Sequence, residues 1–166
     1  MKLLLTALII LLFQPLVFGQ NTKSPAMTAE TKSVKVSYGQ PSKRGRVIFG
    51  DLVPYGIVWR TGANEATEIT FTKNVIIDNK EIKAGTYTLF TIPQKDKWTI
   101  ILNSELKQWG AFEYDKIKSK DVLKTEVVVK SVKMQEKLIF SFTDTPTGTI
   151  LNIGWDEVEV NLPIKF

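Results

Sequence analysis

From residue 34 onward the chain repeats with a period of two. Val34, Val36 and Tyr38 alternate with Lys35 and Ser37, and Ile69 and Phe71 alternate with Glu68, Thr70 and Thr72. Leu138, Phe140 and Phe142 continue the pattern, as do Leu151, Ile153 and Trp155. The last run, Val158, Val160, Leu162 and Ile164 against Glu159, Asn161 and Lys165, is the most regular. Such alternation turns one face of a strand to a core and the other to water, the habit of antiparallel sheets. Turn residues separate the runs: Asp78-Asn79-Lys80, Gln94-Lys95-Asp96-Lys97 and Thr145-Pro146-Thr147-Gly148. Pro93 should end the strand that follows Ala84-Gly85, because proline has no N–H for a ladder. The count is about nine or ten strands, with at most one helical turn, at Ser104–Gln108. The expected fold is all-β: an antiparallel β-sandwich, or a flattened barrel.

The first residues follow a different rule. Lys2 precedes an apolar run, Leu3 to Phe13, that is too short for a bilayer core of about 20 residues. Val17 and Gly19 put small residues where a signal peptidase cuts, before Gln20. The chain therefore divides into a signal peptide at 1–19, a polar extended lead-in at 20–33, and a single domain at 34–166. No cysteine follows the apolar run, so the exported form is not a lipoprotein and carries no transmembrane segment. Its expected location is the periplasm or the medium.

Composition narrows the chemistry. The 166 residues include no Cys and no His. Disulfides, thiolate nucleophiles, Ser–His and Cys–His catalysis and imidazole-bound metals are all excluded. Twenty-two Lys and Arg against 17 Asp and Glu give a net charge of +5, too mild an excess to indicate nucleic acid. No cofactor or metal is expected, since no phosphate-cradling glycine motif and no Asp-rich calcium loop is present. Ser104-Glu105-Leu106-Lys107 matches a Ser-x-x-Lys motif but lacks that motif's companions. Among the acids, Glu65, Asp51, Asp115 and Asp121 are candidate members of a glycoside-cleaving carboxylate pair. Trp98, Trp109 and Tyr114 are candidates for stacking on sugar rings, or else for the core.

One segment breaks the alternation. Residues 38–67 hold five of the ten glycines and all three arginines, Arg44, Arg46 and Arg60, while 19 lysines are spread along the whole chain. Arginine's planar fork binds carboxylate, phosphate or sugar hydroxyls in pairs of bonds that an ammonium cannot reproduce. After Arg60 come Gly62, expected in a positive-φ turn, and the polar Asn64 and Glu65. Arg44, Arg46, Arg60, Asn64 and Glu65 are the candidate ligand-binding residues. The competing reading is structural: an Arg60–Glu65 ion pair across a loop, Asn64 holding the turn, and two solvated arginines flanking Gly45.

The segments Tyr38-Gly39-x-Pro41-Ser42, Gly45-Arg46-x-x-Phe49-Gly50, Leu52-Val53-Pro54-Tyr55-Gly56 and Trp59-Arg60-Thr61-Gly62-Ala63-Asn64-Glu65-Ala66-Thr67 carry a resemblance. So do Ala84-Gly85-Thr86-Tyr87-x-Leu89-Phe90-x-Ile92-Pro93, Trp98-Thr99, Asn103 and Trp109-Gly110. In this order they resemble an exported bacterial family, mainly of the Bacteroidetes, catalogued as domain of unknown function 2911. The resemblance covers nearly all of the chain after residue 19 and implies an exported, mostly β domain. It brings no catalytic residues. Three functions follow as expectations. The first is a non-enzymatic binding module for a polar or anionic ligand such as a glycan or peptide. The others are a two-carboxylate hydrolase of envelope or dietary glycans and a structural partner of an envelope protein.

Overall fold

The computed structural model describes residues 24–166. The expected signal peptide and its expected cleavage before Gln20 lie outside the described residues. Nine strands form one antiparallel sheet: β1 (Ala26–Glu30), β2 (Val34–Gly39), β3 (Glu68–Phe71), β4 (Val75–Ile77), β5 (Lys80–Ile82), β6 (Gly85–Pro93), β7 (Lys97–Asn103), β8 (Asp121–Thr145) and β9 (Gly148–Lys165). Their order across the sheet is β1-β2-β3-β6-β7-β8-β9-β4-β5. The antiparallel sandwich expected from the alternation is what forms, and it does not close into a barrel. Part of the polar lead-in is itself a strand. β1 pairs with β2 along its whole length, from Ala26 opposite Gly39 to Glu30 opposite Lys35, and stays largely exposed at the sheet's edge.

The sheet doubles over through its longest strand. β8 pairs with β7 up to Val128, then with β9 from Val129 onward. Val36, Ile69, Ile100 and Leu123 from one half thereby meet Leu138, Ile153, Val160 and Leu162 from the other in one buried cluster. The crossover explains a change of phase along both long strands. In β8 the inward residues run Leu123, Thr125, Val127, then Leu138 and Phe140. In β9 they run Leu151, Ile153, Trp155, then Val160, Leu162 and Ile164. The register slips between Ser131 and Ile139, opposite Asp156, which takes a positive φ of 56°. Each of the two slips, Ser131 to Gln135 and Gln135 to Ile139, sets four steps of β8 against two of β9, and the inward faces of both strands change across this irregular stretch.

The turns sit where the sequence puts them. Asp78 and Asn79, at φ 49° and 60°, form the two-residue hairpin between β4 and β5. Pro93 ends β6, and Thr145 to Gly148 joins β8 to β9. The helical turn does not fall at Ser104–Gln108. There the backbone is taken up by side chains and the sheet. Asn103 Oδ1 accepts from the Glu105 amide at 2.8 Å, Thr88 Oγ1 donates to Glu105 O at 2.6 Å, and Glu68 Oε1 accepts from the Lys107 amide. The turn forms instead as α1 (Tyr114–Ile117), running into a short 3-10 turn at Lys118–Lys120. Ala111, Tyr114 and Ile117 cover the outer side of the sheet over Phe90 and Ile101. β6 therefore buries both faces, and its Thr88-Leu89-Phe90-Thr91 run cannot alternate.

Candidate functional site

Residues 40–67 cross one end of the sandwich, and each part is pinned to the sheet. Gln40 Nε2 donates to Leu138 O at 3.0 Å and the Leu138 amide to Pro41 O at 3.1 Å. Lys43 forms an ion pair with Asp156 at 2.5 Å. Arg44 and Gly45, at φ 50° and 70°, make a tight turn closed by the Arg46 amide on Lys43 O. Further on, Trp59 and Thr91 exchange both backbone bonds, at 2.7 and 3.0 Å, which attaches the segment to β6.

The next loop is built from the inside. Thr61 Oγ1 bonds Thr91 Oγ1 at 3.1 Å, and Thr67 Oγ1 donates to Thr61 O at 2.9 Å. Gly62 is not the positive-φ residue of this loop. Thr61 (53°) and Asn64 (65°) hold that conformation. Gly62 serves close packing, since a Cβ there would lie 3.0 Å from Thr67 Oγ1 and 3.1 Å from Gly39 O. Asn64 Nδ2 donates to Ser24 O at 3.2 Å, which fastens the start of the described chain to the loop.

Between these loops and residues 111–112 opens a cleft of about 510 Å³. Trp59 and Trp155 lie in its wall, stacked 6.0 Å apart with their planes 19° from parallel. Phe49 and Trp98 complete the aromatic group behind them, Phe49 and Trp98 being 5.0 Å apart. Arg60 is half-buried in the lining. Its Nε donates to Gly62 O at 3.2 Å, the only side-chain hydrogen bond it makes among the described residues. Burial without a carboxylate partner holds its guanidinium below the ordinary arginine pKa. Arg46 also lines the cleft, aimed by two backbone carbonyls: Nη2 donates to Ser42 O at 2.6 Å and Nε to Lys43 O at 3.0 Å. The lining contains two arginines and no Asp or Glu.

Of the five candidate residues, the structure brings Arg46 and Arg60 together in one cleft. Arg44 stands outside the lining, its amide bonded to Glu136 Oε1 at 2.8 Å. Asn64 anchors the loop, and Glu65 is exposed, with its backbone bridged to Trp109. No Arg60–Glu65 ion pair forms among the described residues. Of the aromatic residues proposed for sugar stacking, Trp98 is core at 1% exposed, and Tyr114 is tied to Asp121 through a 2.6 Å bond. Trp109 alone of the three stands in solvent. Leu52, Ile57 and Phe112 in the cleft wall were not singled out from the sequence. Their signal is large apolar residues in turn-rich segments without period. A second cleft, about 380 Å³, lies between the β1–β2 turn and the chain's end, lined by Lys32, Asp144 and Phe166 among others. It holds none of the five.

Fold and site together define a folded-over antiparallel sheet with a loop-built, arginine-lined cleft at one end. A family model described as "Protein of unknown function (DUF2911)" matches residues 21–164, and the chain belongs to that family. No curated protein and no solved structure matches it. Among the described residues no helix is long and apolar enough to cross a membrane.

Proposed function

We propose that this protein is an exported, non-enzymatic binding module, periplasmic or secreted, whose cleft takes an anionic ligand on Arg60 and Arg46. The observation that carries the reading is the state of Arg60. A half-buried guanidinium with no carboxylate partner among the described residues, facing into a cleft, is placed to take an anion from outside. The Nε–Gly62 bond fixes the plane of the fork and leaves its Nη edge for a bidentate acceptor. Sites of this kind, concave and mostly apolar with few placed polar groups, hold small ligands at volumes of about 300–1,000 Å³. A two-carboxylate hydrolysis has no acid to use in this lining.

The test is a thermal-shift screen of the purified protein against carboxylates, phosphates, acidic glycans and peptides. A ligand at 100 times its Kd stabilises the folded state by about 2.7 kcal/mol, whatever its chemistry. Hits that Arg60→Lys weakens support the reading. A screen in which only neutral glycans bind, unaffected by Arg60→Lys, refutes it.

A further inference from the structure

The rest of the lining narrows the ligand class, on the footing of the anion-binding reading just given. We propose that the cleft binds an amphipathic carboxylate: one carboxylate head on an aliphatic or aryl body, as in a medium-chain fatty acid. The head is set by the two arginines and the absence of any acid beside them. The body is set by everything else. Val53, Val58, Trp59 and Trp155 form an apolar wall next to Arg60. Beyond them Leu52, Ile57 and Phe112 line the mouth while standing 44%, 58% and 78% exposed.

Those three side chains come from two separate stretches of chain, and Ile57 and Phe112 leave most of their apolar surface in water, Leu52 a little under half. Single exposed apolar residues are ordinary, but a cluster around a concave, charged site marks a surface that meets something apolar. A sugar ring would need several hydrogen-bonding side chains, and among the described residues the lining offers, besides the indole N–H groups of Trp59 and Trp155, only those of Ser24, Arg46 and Arg60. A small dianion such as phosphate would satisfy the arginines and leave the apolar mouth without a role. An amphipathic carboxylate uses both. Its head takes the fork of Arg60, and its body removes the mouth and the ligand's own methylenes from water, a gain that grows with each methylene buried.

The experiment is calorimetric titration and thermal shift with octanoate, acetate, 1-octanol and phosphatidylglycerol vesicles. Octanoate should bind and raise the melting temperature, while acetate and 1-octanol at equal concentration do not. Arg60→Lys should weaken octanoate about tenfold, on the scale of one bond to a charged group. Ile57→Ser combined with Phe112→Ser should weaken it by about tenfold or more, with the unliganded melting temperature unchanged because both side chains are exposed. If acetate binds as tightly as octanoate, the amphipathic assignment is overturned while the anion-binding reading stands. If 1-octanol matches octanoate, the head is unrecognised and both are overturned. Binding to vesicles without binding to octanoate replaces the small-ligand cleft with a membrane-docking surface, and binding to none of the four probes refutes the amphipathic assignment.

Discussion

Gly39 and Ala63 approach so closely that a Cβ on the glycine would lie 2.0 Å from the Ala63 carbonyl oxygen. The Ala63 amide donates in turn to Gly39 O at 3.1 Å. This contact seats the Arg60–Thr67 loop on the end of β2, so the position of the cleft's arginine depends on a missing side chain about twenty residues earlier in the sequence.

Gly39→Ala should therefore cost about 1–3 kcal/mol, the scale of forced overpacking. It should also displace the loop that carries Arg60. Gly45→Ala is the control, because nothing lies within 4 Å of a Cβ there and only its φ of 70° resists, at about 1–2 kcal/mol. Urea denaturation measures the stability of both, and ligand titration separates them: Gly39→Ala should impair binding and Gly45→Ala should not.

Asn64 has two tasks that substitution can separate. Asn64→Gly keeps the φ of 65° and loses the bond to Ser24 O, at about 0.5–1.5 kcal/mol. Asn64→Ala loses the bond and also strains the backbone, so it should be less stable than the glycine variant by roughly 1 kcal/mol. Equal melting temperatures would mean that the left-handed conformation is not what the residue supplies.

Arg60→Lys keeps the charge and removes the fork. Arg60 makes no ion pair among the described residues, so stability should change by less than about 1 kcal/mol. Affinity for the cleft's ligand should fall by about 1–3 kcal/mol. A stability loss well above 3 kcal/mol without any ligand would mark Arg60 as part of the scaffold.

Tyr114 donates to Asp121 Oδ2 at 2.6 Å, and burial, then that carboxylate, pushes the phenol's pKa upward. The folded state thus favours the protonated phenol. Its contribution is fully present below the unfolded tyrosine value of about 10 and is lost as pH rises beyond it. Tyr114→Phe should cost about 1 kcal/mol at neutral pH. The gap between wild type and variant should close in melts carried past pH 10.

In β9, Val160 is 1% exposed, while Glu159 lies partly in solvent and accepts from Asn161 at 3.0 Å. Val160→Asp buries a charge without a partner and should cost on the order of 4 kcal/mol or more. Glu159→Gln retains an acceptor and should be near neutral. Comparable melting temperatures for the two would contradict the inward assignment of Val160.

Much of the frame could be read from residue types. Val34, Val36 and Tyr38, or Val160, Leu162 and Ile164, announce their faces because water lies on one side and core on the other. The reading fails where that condition fails. Leu89 and Phe90 are both buried because α1 and its approach cover the outer face of β6, and no local pattern reports a covering element that distant in sequence. The site was half legible. The confinement of arginine to one window marked Arg46 and Arg60, since arginine is scarce here and chemically distinct from the lysines around it. Glu65 and Asn64 followed from adjacency to Arg60, and adjacency in a looping chain does not decide which way a side chain turns. Ile57 and Phe112 come to line one cleft only through the fold.

β8 serves both halves of the sheet, with its first residues hydrogen-bonded to β7 and the remainder to β9. The two halves are therefore joined by one continuous strand and by the buried cluster that both contribute to, so neither half covers its apolar face without the other. The loops around the cleft are appended to this frame. Substitutions among their exposed side chains can therefore reshape the cleft without touching the shared cluster beneath.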